Sequence, residues 1–274
     1  MGKVENEKTG ACGRTGGKKI WLGKCKVETD KVDYIFLTRR VMNSLLLPLG
    51  YPRLKRVDDF SELVATPFAA GINALYWPRQ LAGDFTEILN LVGGGEGIIN
   101  ITDARLQGLR LSPAGQLARE VLLEDQRLLR AQGFDPVLNC VVGYPRDEEP
   151  GPVATDVFSF HADSAPVPAD TWLCTYAGAA SEGLRNDQAQ RRVDLPATRA
   201  ACLQTFGGED NEDFREYLKE NCYDLHYAPK PEAQPFSFGL GHLWRIAIEH
   251  PGSLVPPCLH RAPVTPFSRL LLIS

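Results

Sequence analysis

No run of about 18 apolar residues occurs in the chain, so no helix is expected to span a membrane. No CxxC pair occurs either. The seven cysteines, at positions 12, 25, 140, 174, 202, 222 and 258, are odd in number and widely spaced. That pattern signals neither a zinc ribbon nor a disulfide framework. Cys140 and Cys174 sit in apolar, strand-like runs and read as buried free thiols, which suits a reducing, cytoplasmic setting. Charge of one sign is not in surplus: 30 Lys and Arg against 34 Asp and Glu give a net charge of −4. There is thus no electrostatic reason to expect a nucleic-acid partner. Clusters such as Arg39-Arg40 and Arg53-Leu54-Lys55-Arg56 read as solvated surface. The first 26 residues carry Lys and Gly but no continuous apolar core, so no secretory signal is indicated.

What is present is an ordinary globular composition, 43% hydrophobic and 23% charged over 274 residues, enough for a sizeable core. Residues 1–18 are polar and glycine-rich and read as a flexible leader, with residues 19–274 as a single domain. Residues 33–47 suggest a short strand and then a helix, closed by Pro48. Residues 60–70 look like a helix entering a turn, and 71–77 like a strand. Asp84 is placed to cap a helix through Leu91. The run Gly93-Gly94-Gly95-Glu96-Gly97 lacks the Lys-Ser/Thr of a phosphate loop and reads as a helix stop and turn. Ser112-Pro113 opens the clearest helix, with Leu117, Val121, Leu122, Leu128 and Leu129 as its apolar stripe, ending near Gly133.

Beyond residue 133 the character turns to β: residues 137–144, a Pro/Glu-rich turn at 145–152, then 157–162, 171–176, 240–248 and 270–273. A helical first half before a β-rich second half predicts an α+β protein whose core, residues 137–274, is a double-stranded β-helix (a jelly roll, cupin-like) with flanking helices. Residues 178–236, with helices expected at 197–206 and 212–221, read as a helical insertion.

The stretch Phe158-Ser159-Phe160-His161-Ala162-Asp163 carries the chemistry. In a strand, residues i and i+2 share a face, so His161 and Asp163 project together. His-x-Asp alone is a weak signal. With a distant second histidine it makes a facial triad, which holds iron(II) on one side and leaves positions open. His260 is the expected third ligand. His226, His242 and His250 are alternatives by residue type, read respectively as part of the insertion, core or pocket wall, and a turn. Arg269 opens the last apolar strand, where a buried guanidinium needs a carboxylate; Arg245 is an alternative carboxylate partner. A metal triad beside a carboxylate-binding arginine suits a cosubstrate shaped like 2-oxoglutarate.

His161-x-Asp163, His260 and Arg269 together resemble the iron(II)/2-oxoglutarate-dependent oxygenase superfamily. Closer likeness is to the small bacterial hydroxylases of N-substituted (N-succinyl) L-amino acids. The resemblance implies metal ligation by His161, Asp163 and His260, and 2-oxoglutarate contacts from Arg269 and from Arg146. It also implies substrate contacts from Gly83 and Asp84, the latter equally readable as a helix cap. The chain stops five residues after Arg269, so a C-terminal substrate contact of that family is expected to be missing or supplied elsewhere.

The implied activity is O2-dependent hydroxylation of a free or N-acylated amino acid. Asp163 fills the position a halide would need, which favours hydroxylation or desaturation over halogenation. A nucleotide or another metabolite stays open as substrate, as do a cupin-type metal enzyme and a non-catalytic β-roll binding module. A small-molecule substrate is the expected partner, with a homodimer allowed and neither nucleic acid nor membrane expected.

Overall fold

The helices form where caps and apolar spacing coincide. In the computed structural model, which describes residues 47–146, 151–264 and 268–274, Asp59 caps α1 (Phe60–Ala65) by accepting from the Glu62 N–H. Asp84 caps α2 (Phe85–Val92) by accepting from the Thr86 and Glu87 N–H groups, and α2 stops at Gly93 as expected. Thr102 caps α3 (Asp103–Gln107), a five-residue helix too short for its periodicity to be read from sequence. Ser112 caps α4 (Pro113–Ala131), with Pro113 in its first turn. The buried face of α4 is Ala118, Leu122, Asp125, Gln126 and Leu129, whereas Leu117 is 55% exposed. Of the expected stripe, Leu122 and Leu129 are in the core and Val121 and Leu128 pack against it, so only Leu117 departs; Asp125 joins the buried face through an ion pair with Arg79 that hydrophobicity alone does not reveal.

The strands are β1 (Leu54–Arg56), β2 (Ala74–Trp77), β3 (Ile98–Asn100), β4 (Val137–Val141), β5 (Phe160–His161), β6 (Asp170–Ala177), β7 (Glu182–Leu184), β8 (Ala189–Arg191), β9 (His226–Pro229), β10 (Phe236–Ser237), β11 (Leu243–Ala247), β12 (Leu259–Arg261) and β13 (Arg269–Ile273). Among the described residues they form two sheets. The larger runs β1-β2-β11-β6-β13-β4-β3, and the smaller β10-β7-β12-β5-β9-β8. Among the described strands β1–β2 is a parallel pair and the other pairs are antiparallel, with two isolated parallel bridges, Ser164–Glu249 and Thr175–Leu240. The class is α+β with two mixed or antiparallel sheets.

Side-chain alternation in the larger sheet separates two interiors. On β6 and β13, Trp172, Cys174, Tyr176, Leu270 and Leu272 join the core beneath α1, α2 and α4. Their alternates Leu173 and Leu271 turn the other way, to a second cluster with Trp244, Ile246, Phe236 and Phe238. Because Phe236 belongs to β10, that cluster joins the two sheets. The helical side therefore holds the scaffold, and the space between the sheets is left for the site.

The stretch 178–236 contains α5 (Pro196–Phe206) and α6 (Glu212–Glu220), close to the expected helices, packed on a small core of Val153, Val193, Cys202, Phe214 and Leu218. It is not only an insertion. It also supplies β7, β8 and β9, and β10 begins at its end, so most of the smaller sheet comes from it. Strands such as Glu182-Gly183-Leu184 and Ala189-Gln190-Arg191 contain no β-branched residue, which hid them. The expected leader at 1–18 and the elements expected over 33–46 lie outside the described residues, as do 147–150 of the Pro/Glu-rich turn. No helix among the described residues is long and apolar enough to cross a membrane.

Candidate metal centre

The two histidines are brought together by strand pairing. His260 on β12 lies directly opposite His161 on β5 in an antiparallel register. Facing residues in such a pair point to the same side of the sheet, and the two ring centroids are 4.6 Å apart. On the other flank of β5, His226 opposes His161, with rings 5.7 Å apart. Regular pairing on β5 covers only Phe160 and His161. Asp163 lies just beyond, where its carbonyl accepts from the Glu249 N–H at 2.8 Å.

His161 Nδ1 is 2.8 Å from the Ser159 carbonyl. A proton donated there leaves the lone pair on Nε2, the nitrogen that faces Asp163, which is how ligating histidines are commonly oriented. His161 Nε2 is 3.7 Å from Asp163 Oδ1, and His260 Nε2 is 3.7 Å from Asp163 Oδ2. The Thr171 hydroxyl donates to Oδ2 at 2.6 Å. One potential ligand atom from each of His161, Asp163 and His260 falls within 4.8 Å of the others, so the three are placed to hold a metal ion.

The protonation states suit that role. Burial pushes the His260 imidazole down to about 4 against the pull of the Asp163 carboxylate, so its ring is neutral near pH 7, the form that ligates. Burial pushes the Asp163 carboxyl up, but His260, the Thr171 hydrogen bond and His161 together outweigh it, and its pKa lies below the ordinary value. The donor set then includes a neutral His260 imidazole and an ionised Asp163 carboxylate, with the His161 ring beside them.

Arg269 lies in the same cavity. It begins β13, is only 3% exposed, and shares with Leu271 and Ile273 the face that looks between the sheets. Gly178 fixes its approach: with φ +85° it is a position suited to glycine, and any Cβ there would collide with the Ser268 carbonyl and the Arg269 Cα. One guanidinium nitrogen, Nη2, donates to Thr175 Oγ1 at 2.7 Å and to Ser181 Oγ at 2.8 Å. Its Nε is buried with no hydrogen-bond partner. Among the described residues no carboxylate pairs with it. Burial accordingly pulls its pKa below the usual arginine value, with Tyr144 acting in the opposite direction. The cavity, of about 230 Å³, is lined by the triad and Arg269 and walled by side chains such as Ile98, Val141 and Leu271.

The other candidate residues fall elsewhere. Arg146 pairs with Asp156 at 3.3 Å, lies over the Phe158 ring and is 62% exposed; it does not line the cavity. Asp84 is the α2 cap, and Gly83, with φ +112°, lies so close to the α4 backbone at Ala118 that no side chain fits. Arg245 pairs with Asp170 and donates to the Leu63, Val64 and Thr66 carbonyls at the end of α1. Arg261 pairs with Glu182 at 2.7 Å. His242 Nδ1 accepts from the Arg79 N–H, and His250 lies in a turn.

Sequence reasoning passed over Thr171, Thr175 and Ser181. The two threonines sit at i and i+4 of β6, a spacing that places them on one face, but only the pairing of β6 with β13 shows what they face. No known protein family, curated protein or solved structure matches this chain.

Proposed function

We propose that this protein is an iron(II)- and 2-oxoglutarate-dependent oxygenase that hydroxylates an unactivated C–H bond of a small substrate. The observation that carries the reading is the pairing, in one cavity, of a His-Asp-His triad with a buried arginine that has no carboxylate of its own. Two imidazoles and one carboxylate suit non-haem iron(II) with open positions. The two sheets enclosing the cavity are read here as a double-stranded β-helix.

His161, Asp163 and His260 would hold the iron. When bound, it would supply the oxidising power: dioxygen and 2-oxoglutarate are turned over to succinate and carbon dioxide, with one oxygen atom going to the substrate carbon. Arg269 would bind the distal carboxylate of 2-oxoglutarate through its free nitrogens, in charge-assisted hydrogen bonds. Thr175 and Ser181 accept from Nη2, so their own O–H hydrogens remain available to the same anion. Much of the cavity wall is apolar, and Arg261 adds no free charge there because Glu182 neutralises it. A free or N-acylated amino acid is the proposed substrate. The five described cysteines are all free, which supports a reducing, cytoplasmic setting.

The test is an anaerobic titration of metal-free protein with iron(II) and then 2-oxoglutarate, followed by visible absorption. The expected result is a charge-transfer band in the wild type, lost in His161→Ala, with succinate formed on admitting oxygen. Metal binding without that band would favour a cupin-type metal enzyme, and no iron affinity in folded protein would favour a binding module.

A further inference from the structure

Asp163 is the one anionic member of the triad, and its two oxygens are not equivalent. Each faces one histidine at 3.7 Å, Oδ1 toward His161 Nε2 and Oδ2 toward His260 Nε2, but only Oδ2 accepts the Thr171 hydroxyl, at 2.6 Å, and among the described residues no hydrogen bond falls on Oδ1. Thr171 does not belong to the same sheet as the ligands. It lies on β6 in the larger sheet, while His161 and His260 belong to β5 and β12 of the smaller one. The hydroxyl therefore crosses the space between the sheets.

Thr171 is itself fixed. It is buried, it pairs with Ile246 of β11, and its flanking residues are anchored: Trp172 lies in the helical core, and Asp170 is ion-paired to Arg245. Serine would supply the same hydroxyl; valine would fill nearly the same volume without it.

We infer that Thr171 is a positioning residue for the metal centre: by occupying Asp163 Oδ2 from the opposite sheet, it presents Oδ1 alone as the ligand atom. This rests on the reading of His161, Asp163 and His260 as metal ligands. Its consequence is geometric. A carboxylate held by one oxygen takes one position on the metal, and leaves open those that a chelating cosubstrate and oxygen require. With Oδ2 released, the carboxylate is free to rotate out of the orientation that presents Oδ1. Hydrogen-bonding partners of metal ligands typically contribute 10- to 100-fold in metal affinity.

The experiment measures binding of manganese(II), a redox-stable probe, to metal-free wild type, Thr171→Val and Thr171→Ser by calorimetry, with apo melting temperatures recorded in parallel. Thr171→Val is expected to weaken binding by about 10- to 100-fold, while Thr171→Ser stays within about threefold of wild type. Equal affinity in Thr171→Val and wild type would overturn the positioning role and leave the metal centre standing. A loss in Thr171→Ser as large as in Thr171→Val would overturn it too, since the methyl and not the hydroxyl would then matter. If wild type itself bound no metal, the reading of the triad would fall first. Should Thr171→Val not fold, the serine variant decides against Thr171→Ala, with the same expected ratio.

Discussion

Arg79 and Arg269 are buried against opposite faces of the larger sheet, and the two are treated in opposite ways. On the helical face, Arg79 is gripped by Asp125 of α4 through two hydrogen bonds, at 2.6 and 2.8 Å. Its Nε donates to the Gly241 carbonyl, and the Tyr176 hydroxyl donates to the same Asp125 carboxylate at 2.6 Å. Burial works against the Arg79 charge, but the neighbouring Cys174 sulfur and the Asp125 carboxylate overcome it, and its pKa is raised. On the face between the sheets, Arg269 meets two neutral hydroxyls, leaves Nε unpartnered, and has its pKa lowered. A satisfied buried ion pair is architecture. A buried cation met only by neutral groups leaves part of its bonding capacity unused, which is what the proposed ligand role requires.

The comparison is broken most severely by truncating each side in turn. Asp125→Ala strands the Arg79 charge and should cost about 3–5 kcal/mol of stability. Arg269→Met removes a charge that has no counter-ion among the described residues, so its unfolding free energy should be unchanged or higher. Urea unfolding of the two variants measures both, and a large loss in Arg269→Met would mean that Arg269 is structural after all.

A second contrast is sharpened by ligand. With manganese(II) present and oxygen excluded, 2-oxoglutarate at a hundred times its dissociation constant should stabilise wild type by about 2.7 kcal/mol. Thermal melting should show this shift in wild type and none in Arg269→Met. Acid should separate the two faces more gently. His260 has a pKa near 4 when folded, below the ordinary 6.5, so the unfolded chain binds its proton first as pH falls. The metal-free protein should therefore keep this contribution above pH 6.5 and lose it progressively toward pH 4. Asp163, also lowered, adds loss of the same sign below the ordinary carboxylate range. In His260→Gln the dependence between pH 6.5 and 4 should flatten in pH-scanned melts. The smallest effect belongs to the helical side: Asp84→Ala removes the α2 cap and should cost about 1 kcal/mol. It should leave 2-oxoglutarate affinity as it was, and a loss of substrate turnover beyond that stability change would restore Asp84 as a substrate contact.

Much of the helical half was legible because its signals are local. Asp84, Ser112 with Pro113, and Gly93 each mark a boundary within a few residues of themselves. The triad and Arg269 were legible as residue types, since few side chains combine metal affinity with strand spacing, and the fold does gather them into one cavity. Less was readable where meaning depends on a distant partner. Arg79 and Asp125 are unremarkable in sequence until α4 packs on the sheet. Thr171 looks like any strand threonine until β6 faces Asp163. Arg146 and Gly83-Asp84 were chosen from a resemblance; among the described residues they lie away from the cavity, held by local contacts with Asp156, Phe158 and the α2 and α4 termini.

The register that sets His161 against His260 would also govern when the proposed metal could bind. The two imidazoles belong to β5 and β12, which are far apart along the chain and meet only once the smaller sheet has formed. Closing such long loops is slow and comes after local helix formation. A partly folded chain would thus offer a metal only scattered, weak donors, and a complete seat would appear once β5 and β12 have paired. Manganese(II) added during refolding should leave the early phases of helix formation at their metal-free rates and slow unfolding alone. On the proposed metal reading, loading would act as a checkpoint on assembly: a chain that captures metal tightly would already have paired the strands that carry its ligands.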